Sequence, residues 1–251
     1  MSGHSHWAGI KHKKALVDAK RGKLWSKLSK AIIIAAKHGG GDPDNNIRLR
    51  QALEEAKAVS LPKDNIARAI KRGTGELDPV ELEEVVYEGY GVAGVAFVAA
   101  GVTDNRNRTA PEIRKIFEVC GGKLGASGCV SWNFDKKGIF EIPAEGRDEE
   151  QMMELALECG AEDVVLQDDS YEMTCAPDVF DQVAGALEKA NIHPSHSEIN
   201  MVPKDTVDVT DPGDARRVLK LMEALDEHED IQTVASNFNI SDELMAQLED
   251  E

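Results

Sequence analysis

The 251 residues, 41% apolar and 30% charged, suffice for two or three domains and exclude a disordered or collagen-like chain. The densest apolar run, residues 31–36, falls far short of the roughly 20 residues that cross a bilayer, so no membrane partner is expected. The net charge of −17 would argue against a polyanionic partner, but it is uneven: residues 1–75 hold 16 Lys/Arg against 6 Asp/Glu, and the remainder 13 against 40.

The basic head opens with a periodic pattern. Lys13, Lys20 and Lys27 recur every seven residues, as do Lys23, Lys30 and Lys37. On one helix over 13–37 these six occupy about a third of the circumference. Val17, Leu24, Trp25, Leu28, Ile32 and Ala35 form an adjoining apolar arc; Ile33 and Ile34 lie outside it, and Gly22 is a point where the helix could break. Gly39-Gly40-Gly41 should end the helix. Asp42 is expected to cap a second helix, with Pro43 at its first position and Leu49, Leu53 and Ala56 inward, running to about Val59. Pro62 opens a third, with Ile66 and Ile70 inward and Arg68, Lys71 and Arg72 outward.

Gly73-Thr74-Gly75 and the acidic run to Glu84 read as a linker that lets the head swing, after which strand signals begin. Residues 85–87 and 92–102 predict a hairpin. Between them Gly89-Tyr90-Gly91-Val92-Ala93-Gly94 matches G-x-G-x-x-G, but a strand follows where a dinucleotide site needs a helix N-terminus. Thr109 and Glu112 read as a capping box for a helix reaching Cys120, followed by a strand over 129–134. Strand 138–142, helix 148–159, strands 164–167 and 171–175, helix 178–190 and strand 196–202 give the β-α-β-β-α-β order of a split ferredoxin-like unit. A strand over 207–210, a helix over 212–227 with Val218, Leu221, Met222 and Leu225 inward, and a strand over 231–238 complete the chain.

The expected fold class is therefore α+β with three domains. An all-helical basic bundle spans 1–75. A discontinuous middle ferredoxin-like domain spans 80–135 plus 204–251, and an inserted ferredoxin-like domain spans 136–203.

Several motifs carry a family resemblance: Gly3-His4-Ser5-His6-Trp7, Ile10-Lys11-His12-Lys13, Asp18-Ala19-Lys20-Arg21-Gly22-Lys23, Gly39-Gly40-Gly41-Asp42-Pro43-Asp44, Pro62-Lys63-Asp64-Asn65-Ile66, Tyr87-Glu88-Gly89-Tyr90-Gly91 and Thr103-Asp104-Asn105-Arg106-Asn107-Arg108-Thr109. With these, over nearly its whole length, the chain resembles the YebC family. It departs from the family pattern at Asn46-Ile47-Arg48, where Asn-Pro-Arg is usual, and at Ser60-Leu61-Pro62, where Asn-Met-Pro is usual. The resemblance implies a helical head, two α+β domains around a shared cavity, and a non-enzymatic regulator of gene expression. Family members have been described both as DNA-binding transcriptional regulators and as ribosome-associated translational activators.

Little else points to chemistry. No G-x-S-x-G, P-loop or H-E-x-x-H motif occurs, no catalytic residue is assigned, and no cofactor is expected. His193 and His196 flank a proline and read as surface loop, while Ser2-Gly3-His4, able to hold Cu(II) or Ni(II) once Met1 is removed, is taken as incidental, so no metal is assigned. Cys120, Cys129, Cys159 and Cys175 form no C-x-x-C pair and read as inert thiols. Met1 to Trp7 lacks a secretory pattern, and a cytoplasmic location is expected.

The candidate nucleic-acid contacts are Lys11, Lys13, Lys14, Lys20, Arg21, Lys23, Lys27, Lys30, Lys37, Arg48, Arg50, Arg68, Lys71 and Arg72. Trp7 offers either a stacking face or a core anchor. Asn105, Arg106, Asn107 and Arg108 offer a second polar contact, or else salt bridges within an acidic domain. The expected partner is nucleic acid, ribosomal RNA or duplex DNA, with ribosomal proteins as further candidates. Ribosomal RNA is favoured because a lysine stripe suits phosphate rather than base edges.

Overall fold

A computed structural model describes residues 18–78, 81–167 and 169–249. Helix α1, Asp18–Gly39, runs through Gly22 without a break. It ends as its glycines require: Gly40 has φ 84°, and its N–H donates to Ala36 O at 3.0 Å. Residues 32–36 are all buried, Ile33 and Ile34 included. A single apolar arc would not do this. Helices α2, Ile47–Ala58, and α3, Lys63–Gly73, cover one side of α1, while Leu82 and Val102 of the next domain join the same apolar cluster. The head is therefore docked on the body rather than free to swing.

The second helix starts later than its Asp42 signal suggests. Asn46 is the cap, its buried Oδ1 accepting from Leu49 N–H at 3.0 Å while its Nδ2 donates to Ala35 O and Gly40 O, both at 2.8 Å. One side chain thus caps α2 and also satisfies the end of α1. Asp42 instead closes the turn, accepting from Asp44 N–H at 3.0 Å and Asn45 Nδ2 at 2.6 Å.

Strand β1, Glu83–Tyr90, pairs antiparallel with β2, Ala96–Thr103, through a tight turn at Val92–Gly94, so the glycine-rich motif is a hairpin. Helix α4, Arg106–Val119, and short strand β3, Lys123–Leu124, follow. The sheet order is β3-β1-β2-β9, with β9, Ile231–Ser236, arriving from the far end of the chain after α7, Pro212–Asp226. Helices α4 and α7 share one face of this sheet in a core built on Phe97, Phe117, Ile113, Val218 and Leu221.

Between β3 and α7 lies a second sheet. Strands β4, Phe134–Pro143, β5, Asp163–Gln167, β6, Ser170–Cys175, and β7, His196–Pro203, stand in the order β5-β6-β4-β7, all neighbours antiparallel. Helices α5, Glu149–Cys159, and α6, Phe180–Lys189, pack on it around Phe140 and Phe180, whose rings stack at 4.5 Å. This is the ferredoxin-like arrangement. A two-stranded parallel pair of β8, Val207–Asp208, with β10, Phe238–Asn239, and a helix α8, Asp242–Glu249, complete the described chain.

Two expectations fail for the same reason, a side chain that captures backbone donors. Of the strand expected over 129–134 only Phe134 is extended, as the first residue of β4, because the Glu88 carboxylate accepts the N–H groups of Gly128, Val130 and Ser131 at 2.7–3.0 Å and removes them from any ladder. The Thr109 capping box is absent, because Asn105 caps α4 through Arg108 N–H at 3.1 Å, leaving Thr109 buried inside the helix.

Candidate nucleic-acid interface

The described lysines of the stripe fall into two groups by what they meet. Lys27 Nζ reaches Asp226 Oδ1 and the Asp226 carbonyl, both at 3.2 Å, and Gln232 Nε2 donates to Lys27 O at 3.3 Å. One turn on, Lys30 forms an ion pair with Asp230. These two lysines fasten the head to α7 and β9. Lys23 and Lys37 point to solvent.

Asp230 is the centre of the fastening. Its side chain is fully buried and meets, besides Lys30, Arg108 Nη2 at 2.9 Å, Thr109 Oγ1 at 2.6 Å and Thr103 Oγ1 at 3.3 Å. Burial pushes its pKa up, but the hydrogen bonds from Lys30, Thr109 and Arg108 outweigh that and hold it at about 2. Head, α4, β2 and β9 meet at one carboxylate. The Asn105 to Arg108 segment belongs largely to this knot: Asn105 caps the helix, Arg108 is shared between Asp230 and Asp104, and exposed Arg106 lies 3.6 Å from Glu83. Asn107 is exposed.

Glu112, His228 and Asp230 come within ligand distance of one another. They do not make a cation site. Asp230 already faces Lys30 and Arg108, whose charges repel a metal, and His228 Nδ1 accepts Asp230 N–H at 3.1 Å while Nε2 faces Glu112 at 3.1 Å. His196 lies 3.5 Å from Glu198, and His193 is exposed in the preceding turn.

The cations left facing solvent gather at the two ends of the head. Trp25 Nε1 donates to Val59 O at 3.2 Å, setting the end of α2, with Lys57, beside the start of α1, with Lys23. At the other end Gly73 packs against Ile33 O, Ala36 and Lys37, closely enough that a Cβ there would stand 2.5 Å from Ile33 O. That contact brings Lys71 and Arg72 to Lys37 and His38. Lys23, Lys37, Arg68, Lys71 and Arg72 pair with no carboxylate among the described residues. Arg48 meets Glu84 at 3.3 Å on the surface, and Arg50 donates to Pro43 O and Asp44 O, holding the turn before α2. Trp7, Lys11, Lys13 and Lys14 lie outside the described residues, as do the side chains of Lys20 and Arg21.

Sequence reasoning missed Asp226 and Asp230, two among 46 acidic residues with no local pattern to single them out. It also missed Glu88, whose partners lie about 40 residues away.

The family model for the TACO1/YebC N-terminal domain matches residues 5–76, and that for the TACO1/YebC second and third domain matches residues 82–238. The chain belongs to the TACO1/YebC family. It is similar to a probable transcriptional regulatory protein of Rhodopirellula baltica, 55% identical over 98% of this chain and 100% of that one. A protein of the same description from Dictyoglomus turgidum is 53% identical over 99% of this chain and 100% of its own. The crystal structure of a conserved hypothetical protein from Aquifex aeolicus superposes with a TM-score of 0.83 at 48% identity, covering 94% of this chain and 98% of that one. Among the described residues of this TACO1/YebC protein no helix is long and apolar enough to cross a membrane.

Proposed function

We propose that this protein regulates gene expression by binding nucleic acid without catalysing a reaction, and that the exposed cations of its head hold the phosphate backbone. The observation that carries the reading is the division of the lysine stripe: Lys27 and Lys30 fasten the head to an acidic body, leaving Lys23 at one end and Lys37, Lys71 and Arg72 at the other as exposed cations that pair with no carboxylate among the described residues. About 20 Å of helix separates Lys23 from Lys37. Such separated point charges suit phosphates on a broad surface.

The favoured ligand is ribosomal RNA, which makes the protein a translational activator. The exposed cations are spread over two helices, Lys23 and Lys37 toward the two ends of α1 and Arg68, Lys71 and Arg72 on the outer face of α3, and this spread of point charges is unlike one recognition helix presenting base-reading Asn or Gln to a duplex major groove. The alternative is binding to promoter DNA, supported by the description of the relatives as probable transcriptional regulatory proteins. Sedimentation from lysate with and without nuclease, followed by footprinting, separates the two. Travel with ribosomes and protection of ribosomal RNA are expected; a sharp footprint on one promoter at physiological salt, with no ribosome association, would reverse the choice.

A further inference from the structure

Tyr90 and Trp132 are 42 residues apart, yet both rings are tied to one atom: Tyr90 Oη and Trp132 Nε1 each donate to Cys129 O at 3.0 Å. Their polar tips are therefore satisfied inside the protein, while the rings stay in solvent, Trp132 66% and Tyr90 39% exposed. Two large aromatic rings fixed side by side in this way keep apolar faces in water and forgo the gain of burial, which marks the patch as a surface for a ligand.

The loop carrying Trp132 is fixed in advance. Glu88 reaches up from β1 and takes the N–H groups of Gly128, Val130 and Ser131, and its carboxyl lies below the usual range because these bonds outweigh the opposing effect of burial. Beyond the loop, buried Asn133 exchanges two bonds with the backbone of Asp205, at 3.0 and 3.2 Å. Val130 and Phe134 pack against Ala96, Val98 and Ala235 on the sheet face that α4 and α7 leave uncovered. A ligand meeting the two rings would find little left to order.

Lysines flank both rings. Lys123 is the cross-strand partner of Tyr90 and pairs with no carboxylate among the described residues. Lys204 lies against Trp132 O at 3.4 Å, with Asp135 at 3.0 Å as its counter-ion. Lys136 is exposed on the face of β4 that carries Phe134. Glu88 is buried beneath the loop, while Asp135 and Asp205 are exposed on the Lys204 side.

We infer that Tyr90 and Trp132 form a stacking platform for unpaired nucleobases of a single-stranded nucleic acid, with Lys123, Lys136 and Lys204 beside its phosphates. The inference rests on the reading of the protein as a nucleic-acid binder, but not on which cations of the head hold the backbone. Flat rings accept any base, and cations beside them track the strand, so recognition is of unpaired bases and not of sequence.

The test uses the full chain and two eight-nucleotide probes, oligoadenylate and an abasic oligomer with the same phosphates. Wild type should bind oligoadenylate more tightly than the abasic probe. Trp132→Ala and Tyr90→Ala should each cut oligoadenylate affinity roughly 5- to 100-fold, the loss of one stacked base, with the salt slope and abasic binding unchanged. Tyr90→Phe, which keeps the ring, should retain most of the affinity, and circular dichroism should find every variant folded. Replacing Lys37, Lys71 and Arg72 with Gln should weaken both probes alike and leave the base preference intact; if those replacements change nothing while Trp132→Ala still acts, the head assignment fails and the platform stands. Wild type without a preference for bases, or Trp132→Ala with the preference undiminished, would overturn the platform. So would a Trp132→Ala protein that loses ribosome association while keeping its base preference, since the rings would then be holding a protein segment.

Discussion

Lys30 and Asp230 stand 200 residues apart in the sequence and form an ion pair under the head, with the Asp230 side chain fully buried. The pair sits where β9, the last strand of its sheet, passes beneath α1, so assembling the middle domain and seating the head complete the same charge cluster. Breaking one partner leaves the other buried without compensation, which costs far more than an exposed ion pair contributes.

Asp230→Asn should therefore destabilise the protein by about 3 kcal/mol at neutral pH, as measured by urea unfolding. Its pH dependence is specific. Because the folded carboxyl is held at about 2, below its ordinary 3.8, its stabilising effect is complete above roughly pH 5 and is lost as pH falls toward 2. Wild type's advantage over Asp230→Asn should shrink by about 2 kcal/mol between pH 5 and pH 2; an advantage constant over that range would contradict the cluster's role.

Gly101 lies beside the same cluster, where the register of β2 with β9 shifts. A Cβ there would stand 2.1 Å from the carbonyl oxygen of Asp230, backbone that cannot turn aside. Gly101→Ala should cost about 2 kcal/mol or more in urea unfolding and weaken the docking of the head. Unfolding indistinguishable from wild type would show that β9 can move.

Ser60 adopts φ 57°, a left-handed conformation in which L residues other than Asn and Gly are strained. It stands where the family pattern has Asn. Ser60→Asn and Ser60→Gly should each raise stability, by up to about 1 kcal/mol, visible as a higher thermal midpoint. A fall in the midpoint for both would mean that the serine side chain compensates for its backbone.

How legible the molecule was from its sequence depends on the range of the determining contact. The split ferredoxin-like order, the glycine-ended first helix and the α7 core face rest on periodicity and turn chemistry within one element, and these could be read. Asn46, Glu88 and Asp230 could not. Asn46 displaces a well-formed Asp42-Pro43 signal because it also bonds to α1; Glu88 converts an apparent strand into a loop through donors about 40 residues away; Asp230 claims two lysines' worth of docking with Asp226 where the heptad spacing shows only a uniform stripe. A seven-residue repeat marks one side of a helix and says nothing about what faces it.

The cysteines offer a check on packing. Cys120, Cys159 and Cys175 are buried, Cys175 with its thiol pushed up to about 11 by burial, and only Cys129 is partly open. Iodoacetamide at pH 7.5 should label Cys129 first and the other three only on unfolding. Early labelling of Cys175 would show that the inserted domain opens more readily than its core implies.

A stripe divided between docking and binding is tested most directly by the salt dependence of affinity. Full-length protein is titrated with a structured ribosomal RNA fragment across a range of salt concentrations, comparing wild type with Lys23→Gln/Lys37→Gln/Lys71→Gln/Arg72→Gln and with Lys27→Gln/Lys30→Gln. The first variant should keep its stability and lose slope, by roughly 0.7 to 0.9 for each phosphate contact removed. The second should lose stability and, at temperatures where it remains folded, keep its slope. A slope unchanged in the first variant, or lost in the second alone, would contradict the division.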